Sequence, residues 1–91
     1  MSEPLVPDTR LDLSAAAGLA TALRDRTEPE VIVDLSEVRH MGALCLQILI
    51  AAATSAQKDG RSLSLINASD RVIDQLRVMG MTPETIAGGR I

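Results

Sequence analysis

The sequence contains no Phe, Trp or Tyr, and this absence limits both its core and its partners. An interior without rings has to be filled by Leu, Ile, Val, Met and Ala. Unpaired nucleic-acid bases commonly stack on aromatic side chains, and this chain has none to provide. A formal net charge of −3 also disfavours contact with a phosphate backbone. We therefore predict that nucleic acid is not a partner.

Cysteine and long apolar runs are also scarce. The single cysteine, Cys45, excludes an internal disulfide and a zinc site built from cysteines. The longest apolar stretch, residues 43–53, is interrupted by Gln47 and is shorter than the roughly 20 residues that cross a bilayer. No secretory signal and no glycine-rich phosphate loop are visible. We expect a cytoplasmic protein without membrane insertion, and we predict no cofactor and no metal.

Hydrophobic periodicity predicts an α/β domain with a short mixed or parallel sheet of about four strands and three to four helices. The 91 residues are expected to form one domain, residues 1–91, with an abbreviated N-terminal segment 1–9 and a C-terminal tail 82–91. The tail has room for one more helical turn. The predicted strands cover residues 10–13, 31–35 and 62–66, with a brief edge strand at 5–6. The predicted helices cover residues 15–26, 43–58 and 70–79.

Local signals predict where these elements begin and end. Ser14 and Ser69 are expected to be the N-caps of the first and third helices. Gly60 and Gly80 are expected to end the second and third helices, since glycine adopts the left-handed conformation of that position readily. The strand at 31–35 is apolar at four of its five positions, which is typical of a central strand covered on both faces.

Two motifs follow each other in the middle of the chain. Asp34-Leu35-Ser36 ends the predicted central strand, and Met41-Gly42-Ala43-Leu44-Cys45-Leu46 begins the long helix. In this order they resemble the STAS domain of bacterial anti-sigma-factor antagonists, where Asp-Leu-Ser leads to Met-Asp-Ser-Ser-Gly-Leu. Met41 and Leu46 fit that pattern, whereas Leu44 stands at the place of the phosphorylatable serine. The stretch 42–49 is similar to small STAS proteins of alphaproteobacterial chemotaxis gene clusters, which also lack this serine.

The resemblance implies a non-catalytic module that binds a protein through its loop and helix start, residues 36–47. The partner is expected to be a signalling kinase or adaptor, or an anti-sigma factor, bound without the usual serine phospho-switch. The expected partner-binding residues are Ser36, Arg39, His40, Met41, Gly42, Ala43, Leu44 and Gln47. Met41 and Leu44 are expected to be apolar anchors, and Arg39 a polar contact at the rim. Gly42 is expected to allow close approach of a partner backbone, or simply to make the turn.

Several alternatives remain open at this point. The chemotaxis context is favoured over an anti-sigma-factor antagonist that controls transcription, and over an accessory subunit of a lipid-transport ATPase. An enzyme or thiol-based sensor would depend on Cys45 and His40. We favour a buried structural role for Cys45 and ordinary loop hydrogen bonds for His40. The protein is expected to be a monomer or a weak homodimer formed through the same apolar patch.

Overall fold

A computed structural model describes residues 3–88 of the chain, which contain four short strands and four helices. The strands are β1 (Arg10–Leu11), β2 (Glu30–Asp34), β3 (His40–Met41) and β4 (Ser62–Ile66). The helices are α1 (Ala16–Arg24), α2 (Ala43–Lys58), α3 (Asp70–Val78) and α4 (Pro83–Ala87), with a 3₁₀ turn at Leu13–Ala15 before α1. The predicted α/β class is confirmed. Residues 1–2 of the predicted N-terminal segment and 89–91 of the predicted tail lie outside the described residues.

Every strand pairing between residues 3 and 88 is parallel. β2 pairs with β4 along its whole length, and β1 pairs with β3. On the other side of β2, Leu5 forms a bridge with Val33, and its N–H donates to the carbonyl oxygen of Ile32 at 2.8 Å. β2 therefore has neighbours on both edges. Its Val31 and Val33 side chains are buried on one face, whereas Ile32 on the opposite face is half-buried, so the central position is confirmed but full coverage of both faces is not.

The start of the first helix differs from the prediction. The carboxylate of Asp12 accepts hydrogen bonds from the N–H of Ser14 at 3.1 Å and from its hydroxyl at 2.7 Å. Asp12 therefore caps a 3₁₀ turn, and the prediction that Ser14 caps the helix is wrong. These bonds, with the Ser14 hydroxyl first, lower the pKa of Asp12. Because the turn begins directly after β1, the strand is shorter than predicted and Leu13 is exposed.

The boundaries of α2 and α3 follow the local signals, whereas α1 ends at Arg24, two residues before the predicted end. α2 ends at Lys58 as predicted, and Gly60 has a φ of 74°. Ser69 caps α3 by accepting a hydrogen bond from the N–H of Val72 at 3.2 Å, and Gly80 follows α3 with a φ of 77°. Both glycines adopt the left-handed conformation that side chains other than glycine rarely adopt.

One aliphatic core connects all of these elements. The 3₁₀ turn, α1 and α4 pack against α2, while β4 contacts both α2 and α4. The residues with essentially no exposure are Leu11, Val33, Leu35, Val38, Cys45, Leu49, Ala53, Val72, Leu76 and Ile86. Burial of Ile86 anchors α4, so the predicted additional helical turn is a packed part of the fold. No helix within residues 3–88 has the length and apolar character to cross a membrane.

Candidate functional site

The loop between β2 and β3 leads to the first turn of α2, and residues 36–47 are called the corner segment below. Two buried side chains, Leu35 and Val38, fix this loop to the core, and the N–H of Val38 donates to the Leu35 carbonyl at 3.0 Å. Asp34 accepts a hydrogen bond from the Ser36 N–H at 2.9 Å. This arrangement leaves Ser36 and Arg39 exposed to solvent.

Asp34 also connects the corner segment to the loop that precedes α3. Its carboxylate accepts a second hydrogen bond, from Asn67 Nδ2 at 3.3 Å. The backbone N–H of Ser36 is the main cause that lowers the pKa of Asp34, with smaller contributions from the Ser36 side chain and Asn67. Asp34 therefore has a structural role at the entrance to the corner segment.

Gly42 lies where β1 comes closest to the start of α2. Its N–H donates to the Leu11 carbonyl oxygen at 2.8 Å, and a Cβ added at Gly42 would lie 3.0 Å from that oxygen. Its φ of −84° is accessible to any residue, so the constraint is steric. The backbone that approaches Gly42 closely within this chain is therefore that of β1, and the expected approach of a partner backbone stays a prediction.

Met41 is placed differently from the expectation. Its side chain is only 2% exposed, so it fills the core and is not available as a surface anchor. Its backbone N–H donates to Oε1 of Gln75 on α3 at 2.7 Å. Nothing in the sequence indicates this contact, because the two residues are 34 positions apart. The burial of Met41 follows from its position in β3, opposite the buried Leu11 of β1.

Leu44 is the large apolar side chain that the corner segment does expose, at 44%. It lies in the first turn of α2, where the neighbouring Ala43 and Gln47 are exposed as well. No charged residue occurs from position 43 to position 57. The solvent-facing side of α2 continues through the exposed Ala51, so Leu44 begins a neutral surface about two turns long.

A second exposed apolar side chain, Leu13, belongs to the same end of the molecule. The carbonyl oxygen of Asp12 lies 3.4 Å from Cys45 Sγ, and the 3₁₀ turn that contains Leu13 contacts α2. Leu13 is 79% exposed. Sequence reasoning placed Leu13 in a half-buried strand and missed it. The Asp-x-Ser pattern at 12–14, which favours a turn, is the signal that would have separated Leu13 from the strand.

Cys45 and His40 do not form a reactive pair. Cys45 has no exposed surface, and burial raises the pKa of its thiol, with a further increase from the negative charge of Asp12. The thiol is therefore neutral at physiological pH and donates to the Asp12 carbonyl. This confirms the predicted buried Cys45. His40 is half-buried in β3, opposite Arg10, and no cluster of three metal-binding side chains occurs between residues 3 and 88.

A groove of about 490 Å³ lies between α1 and the C-terminal half of α2. Its walls include the apolar Leu23 and Ile48, the exposed Arg24, and two half-buried arginines, Arg26 and Arg61. Both guanidinium groups already hold the chain turn between α1 and β2. Arg26 pairs with Glu28 at 3.1 Å, and Arg61 donates to the Arg26 carbonyl oxygen at 3.2 Å. Arg26 and Arg61 are thus committed to the fold, whereas Arg24 is exposed at the groove.

Comparison with known proteins assigns the fold. The family model described as "Mlab, STAS domain" matches residues 8–85. The chain belongs to the STAS family. No curated protein and no solved structure gives a significant match to this STAS domain. The matched residues run from just before β1 into α4 and include the whole corner segment.

The family match confirms the predicted STAS resemblance. The closer similarity to STAS proteins of chemotaxis gene clusters stays a prediction, since no comparison tests it. The position of Leu44 at the place of the family's phosphorylatable serine also stays a prediction. In the structure, 44% of the surface of Leu44 is exposed to solvent.

Proposed function

We propose that this STAS domain is a non-catalytic protein-interaction module of bacterial, cytoplasmic signal transduction that binds its partner through the corner segment. The observation that carries the proposal is the exposure of Leu44 on a face of α2 without charges. Exposed apolar side chains grouped at one end of a small domain are typical of protein-binding surfaces. Leu44 is the proposed central anchor.

The other expected residues divide into two groups by position. Ser36, Arg39, Ala43 and Gln47 are exposed and can contact a partner directly, with His40 half-exposed. Met41 and Gly42 support this surface without facing a partner. Met41 fills the core beneath it, and Gly42 allows β1 to approach the start of α2. A polar rim around a small apolar centre is the usual anatomy of a protein interface.

We propose that phosphorylation of the corner segment does not control binding. Ala43 and Leu44 cannot accept a phosphate group, and Ser36 is the one hydroxyl side chain of the corner segment. A phosphate on Ser36 would lie close to the carboxylate of Asp34, which accepts the Ser36 N–H. Repulsion between the two negative groups would open this turn. Phosphorylation of Ser36 in cells, with loss of binding, would contradict the proposal.

Capture of partners tests the proposed surface. Immobilised wild-type protein is exposed to a lysate of the source organism, and the retained proteins are identified by mass spectrometry. Leu44→Arg is the test variant, and Val78→Arg is the matched control, because Val78 is an equally apolar side chain, 88% exposed on α3. We expect Leu44→Arg to weaken the affinity of the purified partner by about tenfold or more, as loss of an interface hot spot does.

The identity of the retained partner distinguishes a role in chemotaxis from roles in transcription control and lipid transport. A chemotaxis kinase or adaptor, lost with Leu44→Arg and kept with Val78→Arg, supports the proposal in full. A serine kinase of the anti-sigma type would indicate transcription control, and a transport ATPase would indicate lipid transport. If Leu44→Arg and Val78→Arg retain the same proteins, the proposed surface is wrong. Sedimentation at several concentrations then shows whether the patch forms a homodimer instead.

A further inference from the structure

The backbone of β3 needs a hydrogen-bond acceptor that β1 cannot supply. Successive N–H groups of a strand point to opposite edges. The N–H groups of His40 and Gly42 donate to the β1 side, to the carbonyl oxygens of Thr9 at 3.1 Å and Leu11 at 2.8 Å. The N–H of Met41, between them, therefore points away from β1. Gln75 on α3 accepts this N–H through Oε1 at 2.7 Å.

Gln75 reaches Met41 from a firmly packed helix. Val72 and Leu76, three residues before it and one residue after it, have no exposed surface. Their burial holds α3 in place, so the position of the Gln75 side chain is set by the core. Gln75 itself is half-buried, which protects its hydrogen bond from competition with water.

Met41 and Gly42 are thus held from opposite directions just before α2 begins. Gln75 holds the Met41 N–H from the α3 side, and the Leu11 carbonyl holds the Gly42 N–H from the β1 side. Leu44 follows two residues later, on the first turn of the helix. A rotation of the Met41–Gly42 backbone would change the direction in which this first turn presents Leu44.

We propose that Gln75 is a positioning residue, which holds the start of α2 in the conformation that presents Leu44 to the partner. The proposal rests on the function proposed above and adds a residue outside the corner segment to it. Gln75 acts through Met41 and needs no contact with the partner. A surface that is already ordered before binding loses less conformational freedom on association, so loosening it weakens affinity.

Two variants of Gln75 and one matched control test this role. Gln75→Met keeps the size of the side chain and removes the acceptor, whereas Gln75→Glu keeps an acceptor oxygen. Gln57→Met is the control, because Gln57 also bonds a backbone group, the Ala87 carbonyl at 3.3 Å, at the far end of α2. We expect Gln75→Met to raise the hydrogen-exchange rate of the Met41 amide by about tenfold, with the β2 amides unchanged. Gln75→Glu and Gln57→Met should match the wild type.

The functional readout is affinity for a purified protein that the immobilised wild type captures. We expect Gln75→Met to weaken this binding about fivefold or more, and Gln75→Glu to stay within about twofold of wild type. Unchanged exchange at Met41 would overturn the proposal, and so would faster exchange with unchanged affinity. If Leu44→Arg itself leaves affinity unchanged, the docking surface fails and the role of Gln75 in docking fails with it. A strong effect of Leu44→Arg without an effect of Gln75→Met rejects Gln75 alone.

Discussion

Helices α2 and α3 pack into the same core but present different surfaces to water. Four of the nine residues of α3 are charged, whereas Lys58 is the one charged residue among the sixteen of α2. α3 begins with a side-chain cap from Ser69, and α2 begins at Gly42 without one. The solvent face of α3 resembles that of an ordinary surface helix. The difference indicates that the exposed side of α2 is shaped by something other than solubility.

The two helices also differ in how they begin: α3 has a side-chain cap, and α2 has none. The first N–H groups of any helix lack partners within the helix. In α3 the Ser69 hydroxyl accepts one of them. In α2 the small residue at the cap position allows β1 to pack closely against the helix start. The backbone of β1 thus packs against the start of α2 from within, and Leu44 is exposed on the surface of the first turn.

In the core, we expect α2 and α3 to contribute similarly to the free energy of unfolding. Leu49 of α2 and Leu76 of α3 are both fully buried. Truncation of either to Ala should lower the free energy of unfolding by about 2–5 kcal/mol, because each change leaves a cavity among aliphatic neighbours. Urea unfolding followed by circular dichroism measures both values. If the substitution in one helix lowers the unfolding free energy by less than about 1 kcal/mol, the leucine of that helix does not anchor it in the core.

The start of α2 is expected to tolerate an added side chain less well than a helical position with free space around it. Gly42→Ala should cost about 1–3 kcal/mol of unfolding free energy, because the new methyl group would meet the Leu11 carbonyl at 3.0 Å. Gly18→Ala, in α1, is the matched control, since no atom lies within 4 Å of the added Cβ. That change should stabilise the protein by about 0.5–1 kcal/mol through helix propensity. Equal effects of the two substitutions would contradict the steric role of Gly42.

The smallest expected effect concerns Asp34, which links the loops that lead to α2 and α3. Its pKa is lowered in the folded protein, chiefly by the Ser36 N–H. The folded state therefore gains stability from the ionised carboxylate above about pH 4, the unfolded pKa, and loses it as pH falls through the lower folded pKa. In thermal unfolding between about pH 2 and pH 7, Asp34→Asn should remove a small part of this acid dependence. A stability difference from wild type that stays constant over this range would contradict the assignment.

The sequence predicted much of the fold, because its strongest signals are local. The bounds of α2 were predicted to the residue from an apolar run and a following glycine, and Ser69 and Gly80 marked the ends of α3 correctly. The prediction failed where two local signals competed. Asp12 and Ser14 are both good caps, and the structure uses the side chain of Asp12 to make a 3₁₀ turn first.

The candidate site was predicted less completely. Leu44 was expected to be an anchor and is exposed, but Met41, which has the same apolar character, is buried. Composition cannot distinguish the two, because both occur in one short apolar stretch. The exposure of Leu13 and the contact of Gln75 with Met41 were not expected at all. Each depends on elements that meet only after the chain has folded.

By itself, the sequence determined the order of the helices and of strands β1, β2 and β4, the STAS family, and the absence of charged residues from position 43 to position 57 of α2. These properties depend on side chains that are close along the chain, where spacing and caps act directly. The tertiary structure decided which apolar residues of the corner segment face water. It also decided that Gly42 accommodates β1, and that Gln75 holds Met41 across 34 positions. Such contacts follow from the packing of distant elements around one aliphatic core, which no local pattern specifies.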